Sequence, residues 1–179
     1  GLIILIKDYT HDDMPIKRAI IFAAIAHQHQ FRKGTKIPYI VHPFEVAQIL
    51  TAAGANDEQI CAGLLHDVVE DTDFSIEDIG EHFGQKVAQL VSDCSENKAW
   101  SWERRKAETI RFLTEAAEEE VLLVACADKL SNLRSNKQAI EDIGDKLWER
   151  FNRGYDAQKW YYTGLKKAEN FRILFGEYM

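Results

Sequence analysis

Apolar residues recur at the spacing of an α-helix through almost the whole of this 179-residue chain. The alternation of apolar and polar residues that marks a half-buried β-strand is absent from the sequence. The chain has only three prolines and ten glycines, and these do not cluster into a linker. The pattern therefore predicts an all-α fold, a compact helical bundle that forms a single domain over residues 1–179.

Helix-capping residues predict where several helices begin. Pro15 suits the first turn of a helix that runs to about Gln30. Ser75 with Asp78 has the form of a capping box that opens a helix over residues 75–83. Other helices are predicted over residues 43–53, 85–94, 101–117, 119–134, 142–151 and 153–174, and over a segment capped by Asn56 or Asp57 that carries Cys61, Leu64, Leu65, Val68 and Val69.

The last two predicted helices hold a cluster of aromatic residues. Trp148, Trp160, Tyr161 and Tyr162 are predicted to pack in the core, where large rings contribute most to burial. Tyr155 stays open as a tyrosine that reaches a substrate.

The net charge of −7 and the pI near 5.4 bear on possible partners. A nucleic-acid polymer requires a basic face, which this composition argues against, whereas a small polyanion needs only a few clustered cations. No apolar run approaches the roughly 20 residues of a membrane span. The opening segment GLIILIKDYT is too short for a secretory signal. We therefore expect a small-molecule partner, with no nucleic-acid polymer and no membrane.

The three cysteines predict the cellular compartment. Cys61, Cys94 and Cys126 are odd in number, widely spaced and set among apolar neighbours. This usage is typical of buried free thiols in a reducing cytoplasm, and it does not form a zinc-binding pattern.

The segment LLHDVVEDT at residues 64–72 carries the strongest chemical signal. His66 and Asp67 together offer an imidazole nitrogen and a carboxylate oxygen, a donor pair that divalent transition ions accept. Glu70 and Asp71 follow His66 by four and five positions, which returns them to about the same side of a helix. Burying these groups without a cation or hydrogen-bond partners would cost several kcal/mol. The segment predicts a metal-dependent hydrolase.

Further candidate residues lie outside this segment. His42 stands immediately before Pro43, and Asp128 ends the apolar run in VLLVACADKLSNLR. Arg32 and Lys33 are adjacent in a loop punctuated by Gly34, Pro38 and Pro43, with Tyr39 as a neighbour to which no role is assigned. Spacing alone also leaves His27 open as the first metal ligand.

Three segments in this order, HQHQFRKGTKIPYIVHP, LLHDVVEDTDFSIEDIGEHFG and ADKLSNLR, resemble the hydrolase domain of the RelA/SpoT alarmone enzymes. Because no synthetase region accompanies them, the chain is most similar to the stand-alone small alarmone hydrolases, of the metazoan-SpoT-homologue type within the HD superfamily. The resemblance covers a motif core at about residues 15–135. The C-terminal helices, within residues 136–179, are expected to pack on that core.

The resemblance implies roles for individual residues. His42, His66, Asp67 and Asp128 would hold one divalent ion, usually Mn²⁺, although Fe²⁺, Zn²⁺ and Ni²⁺ stay open. The family pattern contains His27 without using it as a ligand, which favours His42. Glu70 and Asp71 would orient or deprotonate the attacking water. The residues that would contact the nucleotide are Arg32, Lys33, Asn132 and Arg134.

The implied reaction is hydrolysis of the 3′-pyrophosphate of (p)ppGpp to GDP or GTP plus pyrophosphate. One alternative is an HD phosphohydrolase that acts on another nucleotide, such as (p)ppApp, NADPH or a nucleoside monophosphate. A second alternative is an HD module that binds a nucleotide without turning it over.

Overall fold

The computed structural model describes residues 14–168 and Phe171, and the all-α prediction is confirmed over these residues. They form nine α-helices and one 3₁₀ helix. In the described part of the chain, the β-type pairing is an isolated bridge between Phe31 and Pro38. In order, the helices are α1 (Pro15–Ala26), α2 (Val41–Ala52), α3 (Asp57–Leu65), α4 (Val68–Asp71), α5 (Ile76–Phe83), α6 (Gln85–Cys94), α7 (Trp102–Glu115), α8 (Glu119–Ile143), the 3₁₀ helix (Gly144–Arg150) and α9 (Tyr155–Leu165).

The chain divides into two compact units, with the boundary between Ser95 and Glu96. A single domain over residues 1–179, with a motif core at about 15–135, stays a prediction. None of the helices in the described ranges is both long enough and apolar enough to traverse a lipid bilayer.

Helix α3 is the centre of the first unit. It packs against α1, α2 and α6, and α5 packs against α6. Asn56 caps α3 through a reciprocal pair of hydrogen bonds with Gln59, and every residue from Gln59 to Leu65 is buried. Because α3 is enclosed in this way, its C-terminal end delivers the residues that follow it into the interior of the unit.

Gly63 permits the close approach of α2 and α3. A Cβ atom added at Gly63 would lie 2.6 Å from Leu50 Cδ1 and 3.0 Å from Val46 Cγ1. Contacts this short require a shift of Leu50 or Val46, so the absence of a side chain at Gly63 favours the observed close packing of these two helices.

The second unit is built on the 25-residue helix α8, which packs against the 3₁₀ helix. Helix α9 packs against α7. A glycine again sets the approach, because a Cβ atom at Gly164 would lie 2.5 Å from Ile110 Cδ1. The buried residues of α8 include Val124, Ala125 and Leu130, which place the apolar run around Asp128 in the core of this unit.

The described structure corrects several predicted helix ends. Helix α1 ends at Ala26 rather than near Gln30, α8 continues to Ile143 rather than ending near 134, and the segment predicted as a helix over 142–151 is largely a 3₁₀ helix. The last helix ends at Leu165. Residues 169, 170 and 172–174 of the predicted helix lie outside the described residues.

Candidate metal centre

His66 and Asp67 occupy the turn between α3 and α4. The sequence pattern predicted one continuous helix here, but α3 ends at Leu65 and α4 begins at Val68. The His66 side chain is only 4% exposed, and its Nδ1 lies 2.6 Å from the carbonyl oxygen of Gly63. Because a carbonyl oxygen only accepts hydrogen bonds, Nδ1 carries the proton and Nε2 carries the lone pair that a metal ion requires.

His42 is the second residue of α2 and is 2% exposed. Its ring centroid lies 5.5 Å from that of His66. The Oδ2 atom of Asp67 lies 3.0 Å from His66 Nε2 and 3.6 Å from His42 Nε2. Two buried imidazoles therefore direct their Nε2 atoms at the same carboxylate oxygen.

One donor atom from each of His42, His66, Asp67 and Asp128 lies within 4.8 Å of the others. Two imidazole nitrogens and two carboxylate oxygens are a set that suits a divalent transition ion. The tautomer of His66 fits this use, because its hydrogen bond to Gly63 is the arrangement by which proteins orient a metal-binding imidazole. The four residues that the resemblance implied as ligands thus form a grouping that could hold one ion.

Asp128 lies in the interior of α8, within the helix that the sequence predicted over residues 119–134. Its Oδ2 atom accepts from Lys129 Nζ at 2.8 Å, and 13% of the Asp128 side chain and 17% of the Lys129 side chain are exposed. Burial disfavours the charged ammonium, but the interactions with Asp128, Tyr161 and Glu96 together outweigh that effect and raise the pKa of Lys129. The ammonium therefore remains charged and holds one oxygen of Asp128 in place.

A second carboxylate of the same unit joins this charged group. Glu96 accepts from Lys106 Nζ at 2.7 Å and from the Thr109 hydroxyl at 2.7 Å. Burial acts to raise the pKa of Glu96, but the ammonium charges of Lys106 and Lys129 prevail and lower it. Burial and the nearby charge of Lys129 lower the pKa of Lys106. Two carboxylates and two ammonium groups thus balance one another within this unit.

Arg32 and Lys33 lie in a tightly hydrogen-bonded loop. The backbone N–H of Arg32 donates to Ile37 O at 2.8 Å, and Thr35 Oγ1 donates to Arg32 O at 2.8 Å. Gly34 has a φ of 72°, which favours glycine at the turn. Arg32 is half-buried and Lys33 is exposed. The loop therefore presents both cations on a constrained backbone.

Tyr39 is a functional candidate that the sequence interpretation passed over. Its hydroxyl donates a 2.5 Å hydrogen bond to Asp67 Oδ2. This is the oxygen that faces His42 and His66, so Tyr39 restrains a carboxylate of the four-residue group. The position of a tyrosine three residues before His42 is the signal that was available in the sequence.

His27 is buried but does not belong to the four-donor group. Its Nδ1 pairs with Gln30 Oε1 at 2.8 Å, while its Nε2 has no hydrogen-bond partner. Gln30 also donates through Nε2 to the carbonyl oxygen of Asp71 at 3.0 Å. His27 therefore helps to fix Gln30, which ties the Arg32 loop to the segment after Asp67.

Glu70 and Asp71 form the end of α4, the short helix that begins directly after the His66–Asp67 turn. The backbone N–H of Asp71 donates to Asp67 O at 2.9 Å, so the helical turn carries both carboxylates past Asp67. Glu70 is half-buried and Asp71 is exposed. Their place in the helical turn directly after Asp67 is compatible with a catalytic role, which stays a prediction.

Asn132 and Arg134 lie on α8, four and six residues after Asp128. At about 100° per residue, Asn132 projects within about 40° of Asp128, whereas Arg134 projects about 120° away on the other side. Asn132 is half-buried and Arg134 is exposed. The helix geometry therefore places Asn132, rather than Arg134, on the same face as Asp128. That either residue contacts a nucleotide stays a prediction.

Two of the three cysteines match the prediction of buried thiols. Burial raises the pKa of the Cys61 thiol and of the Cys126 thiol to about 12 in each case. Cys94 is only partly buried. A thiol with so high a pKa is a poor nucleophile near neutral pH.

With this geometry established, comparisons identify the proteins that the chain resembles. The HD domain family matches residues 19–152. The guanosine-3′,5′-bis(diphosphate) 3′-pyrophosphohydrolase of Aquifex aeolicus is 39% identical over 133 residues, which cover 73% of this chain and 19% of that protein. The protein of the same name termed MESH1, from Xenopus tropicalis, is 40% identical over 130 residues, which cover 71% of this chain and 72% of that protein.

A solved structure supports the same relationship. It is that of a metazoan orthologue of SpoT that hydrolyses ppGpp, and it superimposes with a TM-score of 0.74 and 27% identity. The superposition covers 93% of this chain and 96% of that one. The first curated relatives that the chain matches are much longer proteins. The matched region covers 19%, 16% and 18% of their respective lengths, which is less than a fifth in each case.

Proposed function

We propose, from the premise that this chain belongs to the HD domain family, that it is a metal-dependent hydrolase of the 3′-pyrophosphate of guanosine alarmones. The products would be GDP or GTP and pyrophosphate. The observation that carries the proposal is the grouping of His42, His66, Asp67 and Asp128 within 4.8 Å. The names of the Aquifex aeolicus and Xenopus tropicalis relatives supply the substrate class.

In this proposal the four grouped residues hold one divalent ion, for which Mn²⁺ is our choice. The two carboxylate oxygens are hard ligands of the kind that suits Mn²⁺. The two imidazole nitrogens would also accept softer divalent ions. When bound, such an ion acidifies a coordinated water and draws electron density from a phosphoryl oxygen. The chain itself contributes the fixed tautomer of His66 and the hydrogen bond from Tyr39 that orients Asp67.

Glu70 and Asp71 are the proposed catalytic residues. Glu70, which is half-buried, accepts the proton of the attacking water at a carboxylate oxygen, and Asp71 helps to orient that water. Both residues extend from the turn that carries His66 and Asp67, so their positions depend on the same backbone.

Arg32 and Lys33 are proposed to bind the phosphates of the substrate. A guanidinium forms paired hydrogen bonds with phosphate oxygens and also stacks on a purine ring, whereas the ammonium acts as a point charge. Such local cations are needed in a chain whose net charge is −7. Asn132 and Arg134 are the further proposed contacts, and Asn132 is the better placed of the two relative to Asp128.

The compartment is proposed to be the cytoplasm. The buried thiols of Cys61 and Cys126 support a reducing environment, because neither needs a disulfide partner to be accommodated in the fold.

A product analysis tests the function directly. The purified protein is incubated with Mn²⁺ and, separately, with ppGpp, ppApp, NADPH and nucleoside monophosphates. We expect pyrophosphate and GDP from ppGpp, and no turnover in His66→Ala or Asp67→Ala. Orthophosphate from another nucleotide would replace the proposed substrate, and nucleotide binding without product would identify a non-catalytic module.

A further inference from the structure

A cavity of about 460 Å³ lies in the second unit between α8, the 3₁₀ helix and α9. We call it the α8–α9 cavity and define it by Leu133, Lys137, Ile140, Trp148, Tyr155 and Lys159. Its volume falls within the range of roughly 300–1,000 Å³ that is usual for small-molecule sites. No residue of the proposed hydrolase site lines it.

The α8–α9 cavity opens on a different side of α8 from Asp128. At about 100° per residue, Leu133, Lys137 and Ile140 project roughly 120–180° away from Asp128 around the helix axis, and Asn136, which also lines the cavity, projects about 80° away. A ligand in this cavity would therefore contact a face of α8 that the metal centre does not use.

An aromatic pair forms one wall of the cavity. The rings of Trp148 and Tyr155 meet edge to face with their centroids 5.0 Å apart. Tyr155 was predicted as a candidate for substrate contact, and 49% of it is exposed, which leaves ring surface available for a planar ligand. The prediction that the aromatic cluster packs in the core holds for the buried Tyr161 and Tyr162 but is wrong for Trp160, which is 47% exposed.

The rim of the cavity is cationic although the chain is acidic. Lys137 and Lys159 line it together with one carboxylate, that of Glu141, which leaves a formal surplus of one positive charge in a chain of net charge −7. The Nζ atom of Lys159 lies 5.8 Å from the centroid of the Tyr155 ring. Aromatic surface and ammonium groups are therefore presented side by side.

We propose that the α8–α9 cavity is a second site, which binds a nucleotide independently of the metal centre. The base stacks against Tyr155 and Trp148, as bases do on exposed aromatic residues. The phosphates lie against Lys159 and Lys137, whose ammonium groups act as point charges. An apolar peptide would use the rings alone, whereas a nucleotide would use both the rings and the positive charge of Lys159, which favours a nucleotide as the occupant.

Equilibrium dialysis with GDP in the presence of EDTA tests the proposal, because metal-dependent binding is then removed. We expect GDP to bind, and Tyr155→Ala and Lys159→Gln each to weaken its binding by roughly 5- to 100-fold. Trp160→Ala is the matched aromatic control, since Trp160 is on the same helix and equally exposed but does not line the cavity. Lys167→Gln is the matched lysine control, and both controls should bind GDP like the unmodified protein.

Two further arms separate this site from the hydrolase site. Arg32→Gln removes a proposed substrate contact and should leave GDP binding in EDTA unchanged. Guanosine alone and inorganic phosphate alone should each bind more weakly than GDP. The proposal is overturned if GDP does not bind in EDTA, if the controls lose as much affinity as Tyr155→Ala, or if Arg32→Gln abolishes binding. Each of these outcomes leaves the hydrolysis assay with Mn²⁺ untouched.

Discussion

Tyr39 and Asp67 are 28 residues apart in the chain and are joined by a 2.5 Å hydrogen bond from the tyrosine hydroxyl to Oδ2. The same oxygen lies 3.0 Å from His66 Nε2 and 3.6 Å from His42 Nε2. The tyrosine hydroxyl therefore binds the carboxylate oxygen that both histidines also face. The loop that carries Arg32 and Lys33 ends at this tyrosine. One contact thus links the proposed phosphate-binding loop to the proposed metal ligands.

Tyr39→Phe should weaken the binding of Mn²⁺ by roughly 10-fold or more, because the Asp67 carboxylate loses the donor that orients it. Calorimetric titration of the purified variant with Mn²⁺ measures this affinity. Tyr155→Phe, which removes a hydroxyl far along the chain at an exposed position, is the control and should bind Mn²⁺ unchanged. Equal affinities for Tyr39→Phe and the unmodified protein would remove Tyr39 from the metal centre.

Lys129→Met should also weaken Mn²⁺ binding, by roughly 10- to 100-fold, because Asp128 loses the ammonium that fixes one of its oxygens. Lys106→Met is a matched control, since Lys106 is a mostly buried lysine of the same unit that pairs with Glu96 instead. Both variants should lower the free energy of unfolding, by on the order of 1–3 kcal/mol. A parallel loss of Mn²⁺ affinity in both would show that lost stability alone accounts for the effect.

Glu70→Gln should retain Mn²⁺ and lose turnover of ppGpp by roughly 10²–10⁴-fold, the usual contribution of a general base. The amide has nearly the shape of the carboxylate but does not accept the proton of the attacking water. Initial rates with saturating Mn²⁺ measure kcat, and a metal titration checks that the ion still binds. An unchanged kcat would exclude Glu70 from the mechanism.

Gly63→Ala should lower the free energy of unfolding by about 1–3 kcal/mol, because the added methyl group would meet Leu50 Cδ1 at 2.6 Å. Gly80→Ala is the control, since its nearest contact, at 3.1 Å, is with the flexible amide of Gln85. In that helical position alanine should be neutral or stabilising by up to about 1 kcal/mol. Urea denaturation of the two variants compares these free energies, and a smaller loss for Gly63→Ala than for Gly80→Ala would contradict the packing argument.

Glu96 predicts a pH dependence of stability. Burial raises its pKa, but Lys106 and Lys129 overcome this and hold the folded pKa below the ordinary glutamate value of 4.5. The ionised carboxylate therefore adds stability above pH 4.5, and this contribution is lost as the pH falls through the lowered folded value. In Glu96→Gln the free energy of unfolding should fall less steeply as the pH is lowered below 4.5. Urea denaturation at a series of acidic pH values measures this slope. Glu149→Gln, at an exposed position, should retain the slope of the unmodified protein.

The fold class was predictable because it rests on a local pattern, whereas the set of four grouped donors followed from the resemblance to a known family, since spacing alone left His27 open as a ligand. Helical periodicity and the capping residues Asn56, Ser75 and Ser101 mark helix starts that the structure confirms. The break between α3 and α4 was not predictable, because His66 and Asp67 both keep right-handed helical backbone angles, so no residue in the pattern signals a stop. The extension of α8 to Ile143 was missed because its later turns are largely exposed and lack an apolar stripe.

Contacts between distant parts of the chain were harder to predict from the sequence. The hydrogen bond from Tyr39 to Asp67 and the packing around Gly63 depend on how a loop and two helices meet, which no local spacing encodes. Exposure of Tyr155 and Trp160 was likewise hidden, because large rings are usually assigned to the interior from composition alone.

Gly63 takes part in two separate contacts. Its missing side chain leaves room for Leu50, and its carbonyl oxygen accepts a hydrogen bond from His66 Nδ1. If the contact of an added side chain with Leu50 were relieved by a shift of the backbone, the carbonyl oxygen that accepts from His66 Nδ1 would move as well. Packing between α2 and α3 and the tautomer of the His66 ring are therefore coupled through this one position.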